Sequence, residues 1–356
     1  MQINLEGQNK LYKTVEDVND IANQVRENSR SLVELNLTGN VFYPEAMEYL
    51  FEEVSKAQKI KKCIFVGILA TLPKAIMLTN LKIMCNKLPT KKLELLDLSD
   101  NALSCELPDE FRNFFHSMER LMILKINNCG LGEKGGNWLA DTLLGMKYKN
   151  TLEVIELAQN KFINFPSKLG VALEQFTSLE ELRIHYNTID QKSMDTFLKS
   201  FENHSLRILD IRDNALSTEG CRMLGSFFVY WDIEEIYLGS CLMSTEGLNV
   251  FLEKASEKLD RPCLHGSFIE YKRKFILDIS NNEIEQAGID ALIKFFDNHH
   301  VDKLYIQGNE YDDCGELVKL IELKGGKVIH DYEDDKNLTE TDLIRKFEEA
   351  LGDAGL

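Results

Sequence analysis

Apolar residues recur along this chain in a fixed short order. Leu93-x-x-Leu96-x-Leu98-x-x-Asn101-x-Leu103 returns as Leu152, Ile155, Leu157, Asn160 and Phe162. It returns again as Leu179, Leu182, Ile184, Asn187 and Ile189, and as Leu206, Leu209, Ile211, Asn214 and Leu216. Apolar alternation through the middle of each block is the period of a short strand. Between blocks the apolar positions take helical spacing, which predicts amphipathic helices over 45–55, 133–144, 218–228, 245–254 and 285–296. The polar position of the block falls at ten places: Asn40, Ile68, Asn101, Cys129, Asn160, Asn187, Asn214, Cys241, Asn282 and Asn309. Most of the intervals are 27 or 28 residues. A strand–helix unit of that size cannot bury its own apolar side, so a regular period predicts a stack of units rather than one central core.

The block is the leucine-rich-repeat signature. The expected fold is therefore α/β: a solenoid of about ten repeats, bent as a horseshoe or crescent, with a parallel inner sheet and outer helices. The buried asparagine should bond backbone groups of neighbouring turns that would otherwise go unpaired. Cys129 and Cys241 can stand in as small buried residues with a weak donor, whereas Ile68 cannot, which marks the second repeat as irregular. Ser217-Thr218-Glu219-Gly220 and Ser244-Thr245-Glu246-Gly247 read as helix starts: a capping hydroxyl, an early acid, and a glycine allowing close approach to the sheet. The domain plan is an N-terminal cap over 1–30, the solenoid over 31–325, and a C-terminal cap over 326–356 with a short acidic linker and a helix. Within the solenoid the 41-residue interval from Cys241 to Asn282 predicts a solvated loop near 257–274. Cys263 and His265 in that loop are two residues where a zinc site needs about four ligands.

Charge narrows the choice of partners. The chain carries 58 acidic and 41 basic residues, a net charge of −17, which argues against nucleic acid and anionic membrane as principal partners. The strand positions expected to face the concave surface hold Glu34, Asp97, Glu156, Glu181, Asp210, Glu235 and Asp278, against Lys62, Lys125, Arg183 and Lys303. An acidic inner face would steer a basic protein partner. Eight cysteines show no C-x-x-C pair, as expected of a reducing compartment. There is no apolar run near twenty residues, no secretory leader, no phosphate-binding glycine loop and no metalloprotease or serine-hydrolase motif. No cofactor and no catalytic site of the chain's own are expected.

Three turns, in order, resemble those of the Ran GTPase-activating proteins. Leu37-Thr38-Gly39-Asn40 is similar to that family's early Leu-Ser-Gly-Asn turn, and Leu98-Ser99-Asp100-Asn101-Ala102 to its Leu-Ser-Asp-Asn-Ala turn. Asn127-Asn128-Cys129-Gly130-Leu131-Gly132, followed by Gly135-Gly136, looks like its Asn-Asn-Gly-Leu-Gly segment. The resemblance covers about residues 1 to 315. It implies an activator of GTP hydrolysis on the small GTPase Ran that inserts no arginine finger. An asparagine on a repeat turn instead holds the GTPase's own glutamine over the attacking water, and that asparagine matches Asn128. An amide offers a donor and an acceptor together, and positioning the water is what this reaction asks of a helper. Gly130 and Gly132 beside it lack bulk and would let a partner surface approach. GTP and Mg would belong to the partner. The candidate partner contacts are Lys74, Asp97, Asp100, Asn127, Gly130, Glu156, Asp210 and Asp278.

One departure weakens the match. In the irregular second repeat the family carries an arginine that touches the GTPase, and Leu72 stands in its place here, with Lys74 matching a later lysine. Arginine and lysine are not equivalent at bidentate sites, so weaker or altered GTPase binding is expected. The expectation is then a monomeric activator of a Ran-type GTPase, cytoplasmic or perinuclear by family analogy. Two alternatives remain open. One is a non-catalytic interaction module binding a small GTPase or another basic partner. The other is a repeat protein with a different ligand, such as a nuclease inhibitor or immune-type receptor.

Overall fold

The structure, a computed structural model, describes residues 1–105, 107–228, 231–259 and 275–332. The chain divides into two compact units, Met1–Leu206 and Arg207–Leu356. The first unit contains strands β1 (Gln2–Asn4), β2 (Leu11–Tyr12), β3 (Glu34–Asn36), β4 (Val41–Phe42), β5 (Lys62–Ile64), β6 (Leu95–Asp97), β7 (Ile123–Lys125), β8 (Val154–Glu156) and β9 (Glu181–Arg183). Its helices are α1 (Val15–Asn28), α2 (Pro44–Val54), α3 (Lys74–Lys87), α4 (Asp109–His116), α5 (Gly132–Leu144), α6 (Ser167–Leu173) and α7 (Gln191–Lys199). The second unit contains β10 (Ile208–Asp210), β11 (Glu235–Tyr237), β12 (Ile276–Asp278), β13 (Lys303–Tyr305) and β14 (Lys327–Ile329). With them go α8 (Thr218–Phe227), α9 (Ser244–Leu259), α10 (Gln286–Asn298) and α11 (Gly315–Leu323).

In the first unit β1, β3, β5, β6, β7, β8 and β9 pair in that order, all parallel. Strands three residues long have no stability alone; the register supplies it. Ile3, Leu35, Cys63, Leu96, Leu124, Ile155 and Leu182 stand opposite one another, and all are buried. Each such row removes apolar surface from water at roughly 25 cal/mol per Å², and no repeat can do so without its neighbours. In the second unit Leu209, Ile236, Leu277, Leu304 and Val328 form the equivalent row. The helices cover the other side; α4 alone buries Phe111, Phe114 and Phe115. This is the leucine-rich-repeat architecture.

The polar position of each repeat behaves as a rung. Asn101 Nδ2 donates to the carbonyls of Phe65, Leu98 and Ser99 at 2.8–3.2 Å, while its Oδ1 accepts from Leu69 N at 2.7 Å. Cys129 does part of the same work: its thiol reaches Leu98 O at 3.2 Å and Asn127 O at 3.3 Å. Ile68 makes no such bonds, and a separate small sheet lies beside the preceding rung, Asn40. There β2 pairs with β4, Val41 N donates to Lys10 O, and Tyr43 N donates to Tyr12 O. Asn80 of α3 donates to Phe42 O at 2.6 Å.

Residues 2–28 carry a strand and a helix in the same order as the repeats, and Asn40 Nδ2 bonds Leu5 O just as it would an inner turn. Thr14 and Asp17 form a reciprocal capping box at the start of α1. Ser217 caps α8 through Gly220 N, as its sequence suggests. The glycine at the start of α9 has a different task from the one expected. A Cβ on Gly247 would stand 3.0 Å from the Cys221 thiol of α8, so the close approach is helix to helix rather than helix to sheet. The loop expected near 257–274 falls mostly outside the described residues, with Cys263 and His265. The C-terminal segment from residue 333 also lies outside them.

Candidate functional site

Asn128 lies in the turn between β7 and α5. Backbone geometry explains much of its identity. Its φ is +50°, and the residue before the rung is left-handed in every repeat: Gly39, Gly67, Asp100, Asn128, Gln159, Tyr186, Asp213, Ser240, Asn281 and Gly308. Only glycine adopts this region freely, and asparagine and aspartate tolerate it better than other residues. Within the first unit these residues form a row. Gly67 N donates to Ser99 O, Asp100 N to Asn127 O, Asn128 N to Ala158 O and Gln159 N to His185 O, each at 2.8–3.0 Å.

The Asn128 turn is clamped from both sides. Asn127 N donates to Ser99 Oγ, and Cys129 N donates to Asn160 Oδ1 at 3.1 Å. Gly132 N donates to Asn160 O at 2.9 Å, and Ser104 N to Cys129 O at 3.0 Å. Ile126, Cys129 and Leu131 point into the core, leaving Asn128 and Gly130 exposed. Gly130 and Gly132 have φ of +62° and +56°, and a Cβ on either would meet nothing within 4 Å. Both glycines are needed for backbone conformation, and the space above them is open.

The side chain of Asn128 is held by one contact. Its Nδ2 donates to Asp100 Oδ1, on the preceding turn, at 3.0 Å. A carboxylate only accepts, so this bond fixes which end of the amide faces Asp100. Among the described residues Asn128 Oδ1 has no partner. Asn127 differs completely. Its Nδ2 donates to Glu156 Oε2 at 2.9 Å and its Oδ1 accepts from Ala158 N at 2.8 Å, so that amide is fully engaged.

The acids expected on the partner-facing surface are mostly occupied within the protein. Glu156 also pairs with Lys125 at 3.0 Å and approaches Arg183 at 3.8 Å. Asp97 Oδ1 accepts from Ser99 N, Asp210 Oδ1 from Arg212 N, and Asp278 Oδ1 from Ser280 N. Asn36 does the same for Thr38 N. These are Asx caps on the turn that leaves each strand. Asp210 and Asp278 are only 1% and 6% exposed, against the expectation of solvent-facing positions. Arg212 folds over Asp210 through Nε and Nη2, and Ser280 Oγ covers Asp278 at 2.7 Å. Burial raises the Asp278 and Asp97 carboxyls above the ordinary range, partly offset by the serine bonds.

The structure therefore brings Asp100, Asn128 and Gly130 together at one exposed edge. Asp97, Asn127 and Glu156 lie on the same unit as supports of the turns. Asp210 and Asp278 belong to the other unit. Lys74 is exposed at the first residue of α3, and Leu72 just before it is half-buried. Sequence reasoning passed over Gln159 and Tyr186, which follow Asn128 in the row. Tyr186 is 45% exposed at φ +56°, a conformation a bulky side chain rarely takes. The signal was available: seven of the ten row positions are Gly, Asn or Asp, and a tyrosine there stands out.

Among the described residues there is no helix long and apolar enough to cross a membrane, and no group of three or more His, Cys, Asp or Glu placed to hold a metal. Two models of the leucine-rich repeat match the chain, over residues 92–114 and 202–225. Repeat, register and rungs together define a leucine-rich-repeat protein. The chain is similar to Ran GTPase-activating proteins. The chain is 27% identical to Ran GTPase-activating protein 1 of Xenopus laevis over 204 residues, 53% of this chain and 34% of that protein. It is 25% identical to Ran GTPase-activating protein of Drosophila melanogaster over 228 residues, 58% of this chain and 37% of that one. The matched stretch thus spans about a third of either relative's length.

Proposed function

We propose that this protein stimulates GTP hydrolysis by a small GTPase of the Ran type, with Asn128 orienting the GTPase's catalytic glutamine. The observation that carries the proposal is the exposed Asn128 amide, tied by Nδ2 to Asp100 with its Oδ1 unengaged. A glutamine side chain brought to it would donate its NH2 to Asn128 Oδ1. Its own carbonyl oxygen then stays free to accept from the attacking water. Holding that oxygen in one orientation lowers the barrier by positioning, without any charge from the activator. Asp100 acts as a positioning residue: it sets the amide's direction and does not touch the reacting atoms. Cofactors stay with the partner, since the proposal needs neither a metal nor a nucleotide on this chain.

The test uses GTP-loaded Ran in single turnover. Wild-type protein should accelerate hydrolysis, and Asn128→Asp should abolish most of the gain, because a carboxylate beside Asp100 repels it and cannot reproduce the amide. An unchanged rate with the folded wild-type protein would sink the proposal.

A non-catalytic binding module is favoured by one observation. Leu72, where the related family has its arginine, is half-buried and uncharged, which removes a cationic contact. Ran that binds this protein without faster turnover would establish that alternative.

A further inference from the structure

On this chain of net charge −17, the helix-to-strand edge of the first unit is basic. Lys59, Lys92 and Arg120 each stand three residues before Lys62, Leu95 and Ile123, which are direct register partners in β5, β6 and β7. The three cations therefore rise from equivalent points on adjacent repeats, about 4.8 Å apart at the level of the strands. All three are exposed, and none has an ion pair among the described residues. Lys91 beside them reaches Glu119 only at 3.9 Å, and Arg30 and Lys147 extend the exposed positive edge to either side.

The loops that carry this row are rigid. Glu94 N donates to Lys61 O and Met122 N to Glu94 O. Ser117 Oγ bonds Thr90 Oγ1 at 2.9 Å, and Thr151 Oγ1 bonds Leu121 O at 2.8 Å, stitching one loop to the next. Like charges stacked on neighbouring strands repel, so the row works against folding. The acids beside it are turned to other cations: Glu94 pairs with Lys61 at 2.7 Å and Glu119 approaches Lys91 at 3.9 Å. A rigid row whose three cations make no ion pair among the described residues is set up for an anionic partner.

The width of the row selects the partner's form. Glu94 and Glu119 flank the cations, and a bilayer or a nucleic-acid duplex laid across them would meet those carboxylates too. A single extended chain would not. Side chains on one face of an extended peptide are about 6.6 Å apart, within reach of long, flexible lysine and arginine side chains, so a run of acids can meet every cation without strict register. We propose that this edge binds an extended acidic segment of a partner protein, running across the strands over Lys59, Lys92 and Arg120. The proposal stands independently of GTPase activation.

Fluorescence anisotropy with a labelled Glu/Asp-rich peptide and the full chain tests it. The variant Lys59→Glu/Lys92→Glu/Arg120→Glu should weaken binding at least about tenfold, and added salt should do the same to the wild type. The matched variant Lys134→Glu/Lys192→Glu/Lys199→Glu changes net charge equally at exposed sites elsewhere and should bind as the wild type does. A glutamine triple at the same three edge positions, with an unchanged melting temperature, guards against loss of folding. The proposal is overturned by no binding, by equal loss in both charge-reversal variants, or by tighter binding to duplex DNA or phosphatidylserine vesicles than to the peptide.

Discussion

The two edges of the sheet in the first unit are built from the same repeats and carry opposite chemistry. Along the strand-to-helix edge, backbone conformation dictates the residues: left-handed Gly67, Asp100, Asn128 and Gln159, each donating its N–H to the next turn. Along the helix-to-strand edge the backbone imposes no such demand, and Lys59, Lys92 and Arg120 align without an ion pair among the described residues. The lesson concerns how identity can be explained. A residue on the first edge can be present simply because the turn requires it, so function there must be argued from what the side chain leaves unengaged. Lys59, Lys92 and Arg120 on the second edge make no ion pair among the described residues that would account for them.

The rungs beneath the first edge should show the largest effect on stability. Asn160 bonds Ile126 O and Ala158 O through Nδ2 and accepts from Cys129 N through Oδ1, all of it buried. Asn160→Ala leaves several buried groups unpaired and should cost about 3 kcal/mol in denaturant unfolding. Asn160→Cys should cost markedly less, because Cys129 already serves as a rung. Equal losses in the two would contradict the role given to the thiol. Next in size is Asp100→Ala. It frees the Asn128 amide to rotate and should lower GTPase stimulation about tenfold, with little change in affinity for the GTPase. A loss confined to affinity would make Asp100 a simple contact.

Gly130→Ala separates conformation from space. Nothing would touch the added methyl, so the whole effect comes from φ +62°, and about 1 kcal/mol of stability should be lost. The smallest effect belongs to the second edge. His204 is buried beside Phe201, and burial lowers its pKa below the ordinary value near 6.5. The unfolded chain then binds the proton more readily than the folded one. Stability is complete above the unfolded pKa and falls as the pH drops through the folded one. The melting temperature should decline between about pH 7 and pH 5, and His204→Leu should flatten that decline. A variant with the same slope would exclude His204 as its source.

Rows and rungs were legible in the sequence because burial repeats with the chain: Leu96, Leu124 and Ile155 cannot change character without opening the core. Asn101 and Cys129 announced their places for the same reason. The acids at strand ends were less legible. Alternation marks Asp97, Asp210 and Asp278 as facing away from the core, but whether such a carboxylate meets solvent depends on a bond to the residue two places on. Periodicity carries no record of that bond. The turn containing Asn128 stood out by resemblance, whereas its distinction from Asn127 required coordinates: adjacent amides, one consumed by Glu156 and Ala158, the other tied to Asp100 by Nδ2 alone. The basic edge escaped although Lys59, Lys92 and Arg120 each directly precede the first apolar position of a repeat, because no fixed residue type marks that exposed position from one repeat to the next.

Asn128→Gly is the sharpest test of the central claim, because glycine keeps the left-handed turn and removes only the amide. Single-turnover GTP hydrolysis by Ran at saturating activator should fall by about a hundredfold relative to the wild-type protein, with folding and binding retained. Stimulation that survives this substitution would contradict the account and leave Asn128 as a residue of the turn alone.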